Sequence, residues 1–262
     1  MKTIDLTDEH LPTFLVCLKD WCDEQKQCGD HKETWWRRMK ERGLRVKLAQ
    51  DDDGAVVGMI QYVPVEYAAV EGRNLYHIQC MWVHGYTEGI GNRQGRGAGR
   101  LLLQAAEDDA RALGAKGMVA WGMDFPDWNP VSWYVANGYA EVDKNGHAAL
   151  AWKPFVDDAA PPKWIKSTGK KPDLTPAKVT VTALLHPWCQ TPCITFEQAR
   201  RAAASFGGRV VVDVVDTSDP ATLREWGTTN AIFVDGDPVP WSFDLNEEEF
   251  RQIIAAKLGE SK

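Results

Sequence analysis

No stretch of this 262-residue chain approaches the roughly 20 consecutive apolar residues that a membrane-crossing helix needs, so no membrane partner is expected. A cationic surplus is also missing. The net charge of -7 argues against the clustered lysine and arginine surface that nucleic acid or an anionic membrane would reward. Cysteine is scarce, with six residues, too few for a disulfide framework in a chain of this length. The opening stretch MKTIDLTDEHLP carries acidic residues where an export signal has its apolar core, so a cytoplasmic location is expected. In a reducing compartment most cysteines are then thiols, and any disulfide is functional. No internal repeat suggests a solenoid. What remains is an ordinary globular composition, 44% hydrophobic and 26% charged, at a length that favours two domains. A small molecule is the expected ligand, and a monomer or homodimer the expected state.

Tryptophan is the abundant residue, with 12 copies, several in polar surroundings such as Trp35, Trp36, Trp128 and Trp133. Two readings stay open: large aromatic anchors of an ordinary core, or the lining of a substrate cleft.

The stretch PFVDDAAPPKWIKSTGKKPDLTPAK has neither helical nor strand period and reads as a connector over residues 156–178. Before it, RVKLAQ, AVVGMIQYVPV, LYHIQCMWV, GMVAWG and AALAWKPF read as strands. Helices are expected from about Asp8 to Gln25, from Glu33 to Arg42 with Gly43 closing it, and after Gly99. After the connector, VTVTALLH, RVVVDVVD and AIFVDG read as strands between helical stretches, and NEEEFRQIIAAKL as a final helix. The domains expected are 1–155 and 179–262.

Residues Cys80 to Gly114 read as strand, glycine-rich loop and helix. Gln94, Gly97 and Gly99 satisfy Q-x-x-G-x-G. Glycines admit a ligand close to the backbone, and unpaired amides with the positive end of a helix attract a pyrophosphate. Arg93 and Arg96 are placed to add charge-assisted contacts. A dinucleotide fold fits less well, because the loop lies in mid-domain and no acidic ribose-binding residue follows the next strand.

Farther on, Asn129, Ser132, Tyr134, Gly138 and Tyr139 fall in a spacing that, with the upstream loop, resembles the GNAT superfamily of N-acetyltransferases over about residues 2 to 155. The resemblance implies an α/β (α+β) domain with a mixed, mostly antiparallel sheet and helices on both faces. It implies acetyl-CoA as cosubstrate, its pyrophosphate on the backbone of Gln94, Gly95, Arg96, Gly97, Ala98 and Gly99, with Met81, Trp82 and Val83 pairing with the pantetheine arm. It places Tyr134 as the general acid that protonates the departing thiolate, with a structural tyrosine as the alternative. Asn129 either contacts CoA or caps the next helix. The base is open: His77 stands where some relatives carry theirs, against a hydrogen-bonded structural role. The loop from Gly85 to Arg93 is longer than a tight family loop, as a mobile cover or an extended cofactor contact. Direct attack by the amine of a small molecule is implied, with no metal; a thiol–disulfide oxidoreductase on a GNAT scaffold and a non-catalytic acyl-CoA-binding sensor are the alternatives. Asp124, Asp127 and Glu88 either favour a cationic amine or form a solvated acidic surface.

In the tail, Trp188, Cys189, Pro192 and Cys193 resemble the W-C-x-x-C site of thioredoxin-like domains, where a helix start stabilises a thiolate. The spacing is one residue longer, and WGTTNAIFVDG lacks the proline that ordinarily faces such a site. Cys189 and Cys193 are read as a redox pair, a ligand or partner thiol site, or structural cysteines; Cys17, Cys22, Cys28 and His31 are read as helix packing and interhelix loop in the other domain, with the segment QCGDHKET as an alternative lining of the acceptor entrance. A GNAT domain followed by a small thioredoxin-like α/β domain resembles the YoaP-type proteins of bacteria.

Overall fold

Residues 1–126, 128–240, 242 and 245–260 are described by a computed structural model. The chain divides into two units: Met1–Cys22 with Trp36–Ile165, and Asp23–Trp35 with Lys166–Lys262. The boundary after Ile165 falls inside the expected connector, and residues 23–35, expected within the first domain, group with the second.

The first unit contains β1 (Lys2–Asp5), α1 (Leu11–Leu15), the second half of α2 (His31–Lys40), β2 (Arg45–Gln50), β3 (Val56–Pro64), β4 (Val70–Glu71), β5 (Leu75–Val83), α3 (Ala98–Ala112), β6 (Gly117–Met123), α4 (Val131–Val135), β7 (Ala140–Asn145), β8 (Ala148–Pro154) and β9 (Lys163–Trp164). Seven strands form one sheet in the order β1-β2-β3-β5-β6-β8-β7. Every neighbouring pair is antiparallel except β5 with β6. The sheet is therefore mixed and mostly antiparallel, as expected. β3 is buried along almost its whole length, which its near-continuous apolar run requires of a central strand. The helix expected from Asp8 to Gln25 is reduced to the five residues of α1, because Cys17 and Leu18 take positive φ and no helix continues through them. β9 pairs with β4, which holds the chain to this unit as far as Ile165.

Helix α3 buries Leu102, Leu103, Ala106 and Ala110 in the core. Two polar clamps fix it. Asp109 accepts two hydrogen bonds from Arg45, both at 2.9 Å, and one from Tyr62 at 2.6 Å. Lys153 of β8 donates to the buried Glu107 at 2.7 and 3.0 Å. Burial alone would raise the Asp109 pKa, but the bonds from Arg45 and Tyr62 and the charges of Lys47 and Arg45 hold it below its ordinary value. A helix held this way presents its start at a fixed place on the sheet.

The second unit contains β10 (Val179–Leu185), α5 (Gln190–Ala204), β11 (Val210–Asp216), α6 (Pro220–Trp226), β12 (Ala231–Val234), β13 (Asp237–Pro238) and α7 (Glu247–Lys257). Its sheet runs β11-β10-β12-β13, with β10 parallel to β11 and antiparallel to β12. β10 is buried at every residue, as a strand paired on both sides and covered by helices must be. Asn246 caps α7 by accepting from the amides of Glu248 and Glu249, and Gly227 ends α6 at φ +66°.

Candidate functional site

The pairing of β5 with β6 runs only from Leu75 with Gly117 to His77 with Val119, although β5 continues to Val83 and β6 to Met123. Two local features accompany this parting. The register of β3 against β5 jumps between Gln61–Cys80 and Tyr62–Ile78, so Gln79 is the extra residue of a β-bulge, a device that bends a strand away from its neighbour. On β6, Gly122 leaves no room for a side chain: a Cβ there would stand 2.6 Å from the Val131 amide and 2.8 Å from the Asn129 carbonyl. That close approach seats the 129–131 turn, and with it α4, on β6. Past the bulge, Cys80, Met81, Trp82 and Val83 are only half-buried, which leaves an opened strand segment along the proposed pantetheine stretch. The carbonyl of the bulge residue itself is engaged, since the Trp121 indole donates to Gln79 O at 3.0 Å.

From the end of β5 the chain enters the glycine-rich turn. Gly95 and Gly97 adopt φ of +75° and +89°, a conformation that L side chains adopt at a cost. Gly97 is the N-cap of α3, with no side-chain cap. The amides of the first helical turn therefore have no capping side chain, and Gln94 to Gly97 are exposed. Gln94 folds back to donate to Val83 O at 3.2 Å and so fastens the turn to the strand end. Arg93 faces elsewhere: its guanidinium contacts Asp51 at 3.1 Å and the Ile90 carbonyl at 3.0 Å. Arg96 and Arg100 are exposed and make no ion pair among the described residues. Arg100, in the first turn of α3, was missed in the sequence; its spacing of one helical turn from Arg96 was the available signal. Trp133 stands over the turn, 3.4 Å from where a Cβ of Gly99 would lie.

Tyr134, in α4, is 2% exposed and packs with Trp133 and Tyr139. Burial pushes its phenol well above the ordinary range, and the nearby Cys80 adds to the shift. Tyr134 thus adjoins the second half of β5, and it stays protonated through neutral pH. Asn129 does not cap α4. The N-cap is Pro130, and Asn129, at φ +43°, donates to the Trp121 carbonyl at 2.9 Å, tying the turn to β6 instead. His77 is 6% exposed and occupies the last paired position before the strands part. The ring of His84 lies 4.8 Å from that of Trp21 and 6.0 Å from that of Tyr86, and burial lowers its pKa against the opposing pull of the Gly91 carbonyl. The loop from Gly85 to Arg93 is closed by Arg93 N donating to His84 O at 2.8 Å, and Gly89 packs on Trp21.

The tryptophans divide between the two readings. Trp35 and Trp36 are core residues, whereas Trp128 is exposed and meets Trp121 edge-on at 5.5 Å on the β6 side of the opening. Asp124 pairs with His147 at 3.0 Å and Glu88 accepts from Thr87; Asp127 lies outside the described residues. Among the described residues no three Cys, His, Asp or Glu side chains are grouped so as to hold a metal ion. Cys189 is the N-cap of α5 and half-buried; Cys193, one turn on, is fully buried and donates to the Cys189 carbonyl at 3.3 Å.

Comparison with known proteins bears on the first unit. Several solved structures are similar to it at low identity: a ribosomal-protein-alanine N-acetyltransferase from Brucella melitensis (17% identity, 59% of this chain and 100% of that one, TM-score 0.45), an N-acetyltransferase from Thermoplasma acidophilum in complex with coenzyme A (16%, 59% and 100%, 0.43), and a GNAT family N-acetyltransferase from Escherichia coli in complex with CoA (15%, 62% and 88%, 0.42). No curated protein matches the chain. Residues 5–134 match the acetyltransferase (GNAT) family. That match spans β5, the glycine turn and α3 and ends on Tyr134, so residues 5–134 are a GNAT acetyltransferase domain and the chain is an acyltransferase.

Proposed function

We propose that the protein transfers the acetyl group of acetyl-CoA to the amine of a small molecule by direct attack. The observation that carries this reading is the parting of β5 from β6 beside an exposed, uncapped helix start. The pyrophosphate would sit on the amides from Gln94 to Gly99, with Arg96 and Arg100 as its cationic partners. The pantetheine amides would pair with the opened segment Met81 to Val83. Backbone amides polarise the thioester carbonyl, and Tyr134 gives its proton to the CoA thiolate as the carbon–sulfur bond breaks. His77 is the proposed base that takes the proton from the amine. Arg93 has the smaller share in CoA binding, because Asp51 already holds it.

The second unit is read as thioredoxin-like. Its strand order, with β10 parallel to β11 and antiparallel to β12, and a cysteine at the start of the helix after β10, support that reading.

The test is release of CoA from acetyl-CoA over a panel of amines. Wild type is expected to turn over at least one of them, and Tyr134→Phe to lose about a hundredfold in kcat with little change in KM, in line with the usual worth of a general acid. A chain that does not bind acetyl-CoA sinks the proposal; normal turnover by Tyr134→Phe removes only the acid.

A further inference from the structure

The bulge that ends the pairing of β5 with β6 also decides which side chains share a face. Ile78 and Met81 both pack into the core around α3, although three positions separate them. The bulge between them therefore turns Gln79 and Cys80 together to the opposite face of the sheet. On β6 the missing side chain of Gly122 faces the turn before α4, so strand alternation sends Trp121 to that same opposite face. Gln79 and Trp121 thus lie on one face, held side by side by the indole hydrogen bond to Gln79 O.

Gln79 is 3% exposed, and its side chain is poorly satisfied. Its Nε2 reaches the Tyr67 carbonyl, at the end of a 3₁₀ turn over Val65–Tyr67, only at 3.5 Å, the outer limit of a hydrogen bond. Its Oε1 has no hydrogen-bond partner among the described residues. A buried acceptor left unpaired destabilises a fold, and a donor arriving with a ligand would relieve it. An amide oxygen accepts a hydrogen bond without removing the proton, so Gln79 can orient an N–H but cannot act as the base.

Beyond Trp121 the wall turns aromatic and exposed. Trp128 is 51% exposed and meets Trp121 edge-on, and Phe125, 36% exposed, meets the His147 ring at 6.2 Å. Two large aromatic side chains open to water three positions apart suit an apolar ligand that covers them. Among the described residues from 124 to 128 the only carboxylate is Asp124, and His147 already holds it at 3.0 Å. The wall therefore offers a ring more than it offers a second cation.

We propose that the acceptor is a primary amine carried on an aromatic body, with Gln79 Oε1 accepting one of its N–H bonds and Trp128, backed by Trp121, covering its ring. A primary amine has an N–H for each of Gln79 and His77. The inference rests on the acetyl-transfer reading and leaves its chemistry unchanged. The amine nitrogen bonds the acetyl carbon, the carbon–sulfur bond breaks, Tyr134 protonates the thiolate, and His77 takes the proton that nitrogen loses. The hydrogen bond to Gln79 turns the nitrogen lone pair toward the thioester, and the indoles select the body behind it.

The experiment measures CoA release by the full chain at saturating acetyl-CoA with two probes, 2-phenylethylamine and putrescine. Wild type is expected to favour 2-phenylethylamine by about tenfold or more in kcat/KM. Trp128→Ala is expected to erase that preference, raising KM for 2-phenylethylamine about tenfold and leaving putrescine within about twofold. Gln79→Leu is expected to lower kcat about tenfold or more for both amines at an unchanged KM for acetyl-CoA, which a merely structural role would not produce. Gln79→Glu, which keeps an acceptor oxygen, is expected to restore turnover. Preference for putrescine, an unaltered ratio in Trp128→Ala, or normal turnover by Gln79→Leu overturns the proposal and leaves acetyl transfer standing. Binding of acetyl-CoA without turnover of either amine overturns the acceptor class alone, whereas a chain that binds no acetyl-CoA sinks both readings. Trp128 is exposed, so its variant decides the matter even where Gln79→Leu does not fold.

Discussion

Two helices of equal length begin the two candidate sites, and they begin differently. α3 and α5 each have 15 residues and each follow a strand. α3 starts from a glycine in left-handed conformation with exposed backbone and two exposed arginines. α5 starts from an extended cysteine, with a buried glutamine as its first residue and a further buried cysteine one turn on. The same positive helix end is thus offered to solvent in one unit and half-covered behind a thiol in the other. An open start with bare amides suits a multiply charged, well-hydrated anion that brings its own oxygens. A half-covered start suits a single soft anion formed on a side chain.

The comparison breaks most sharply at the backbone. Gly97 has nothing within 4 Å of a built Cβ, so its only constraint is φ of +89°. Gly97→Ala is therefore expected to cost about 1–2 kcal/mol from the left-handed strain alone. Cys189, at φ -117°, needs no special residue, and Cys189→Ala is expected to stay within about 0.5 kcal/mol. Urea unfolding midpoints of the two variants check this. Equal costs would mean that the start of α3 does not depend on its glycine.

A charge test is next in size. Arg96→Ala with Arg100→Ala is expected to raise the KM for acetyl-CoA about tenfold, the worth of one charge-assisted contact. The effect should shrink as salt screens the wild type. A KM unchanged at low salt would place the pyrophosphate elsewhere.

What could be read from sequence follows the range of the interactions. The glycine turn and the seats of β2, β5, β6, β10 and α3 rest on local periodicity and on residues whose backbone needs announce themselves. Three features were not legible. Cys28 meets Gln190 only because residues 23–35 fold onto α5, a pairing of distant segments that no local pattern encodes. Arg93 reads as a phosphate ligand from its place in the loop, yet Asp51, on the far side of β3 in sequence, takes its charge. Asn129 reads as a cap because caps are local, and the Trp121 carbonyl across the turn competes successfully for its amide. β7 was missed as well, since its mostly exposed sequence AEVDKN lacks an apolar alternation.

The smallest expected effect concerns the carboxylates that hold each helix. In the first unit Asp109 fastens α3 to β2 and β3; in the second, Glu197 fastens α5 to residues 23–35 through His31, while Arg200 of the same helix braces the carboxylate. Burial works to raise the Glu197 pKa, but the hydrogen bonds from Arg200 and His31 outweigh it, so both carboxyls lie below their ordinary values. A depressed acid stabilises the fold above its unfolded pKa, about 4 for both types, and that contribution is lost as pH falls through the folded value. Thermal unfolding followed between pH 3 and 7 should therefore show wild type losing stability below about pH 4. Glu197→Gln, less stable at pH 7, should show a shallower fall over the same range, as should Asp109→Asn. Glu197 also anchors the segment that carries Cys28. If Glu197→Gln left the acid slope unchanged, the ion pair would be incidental, and the apolar cluster around Cys193 alone would hold residues 23–35 in place.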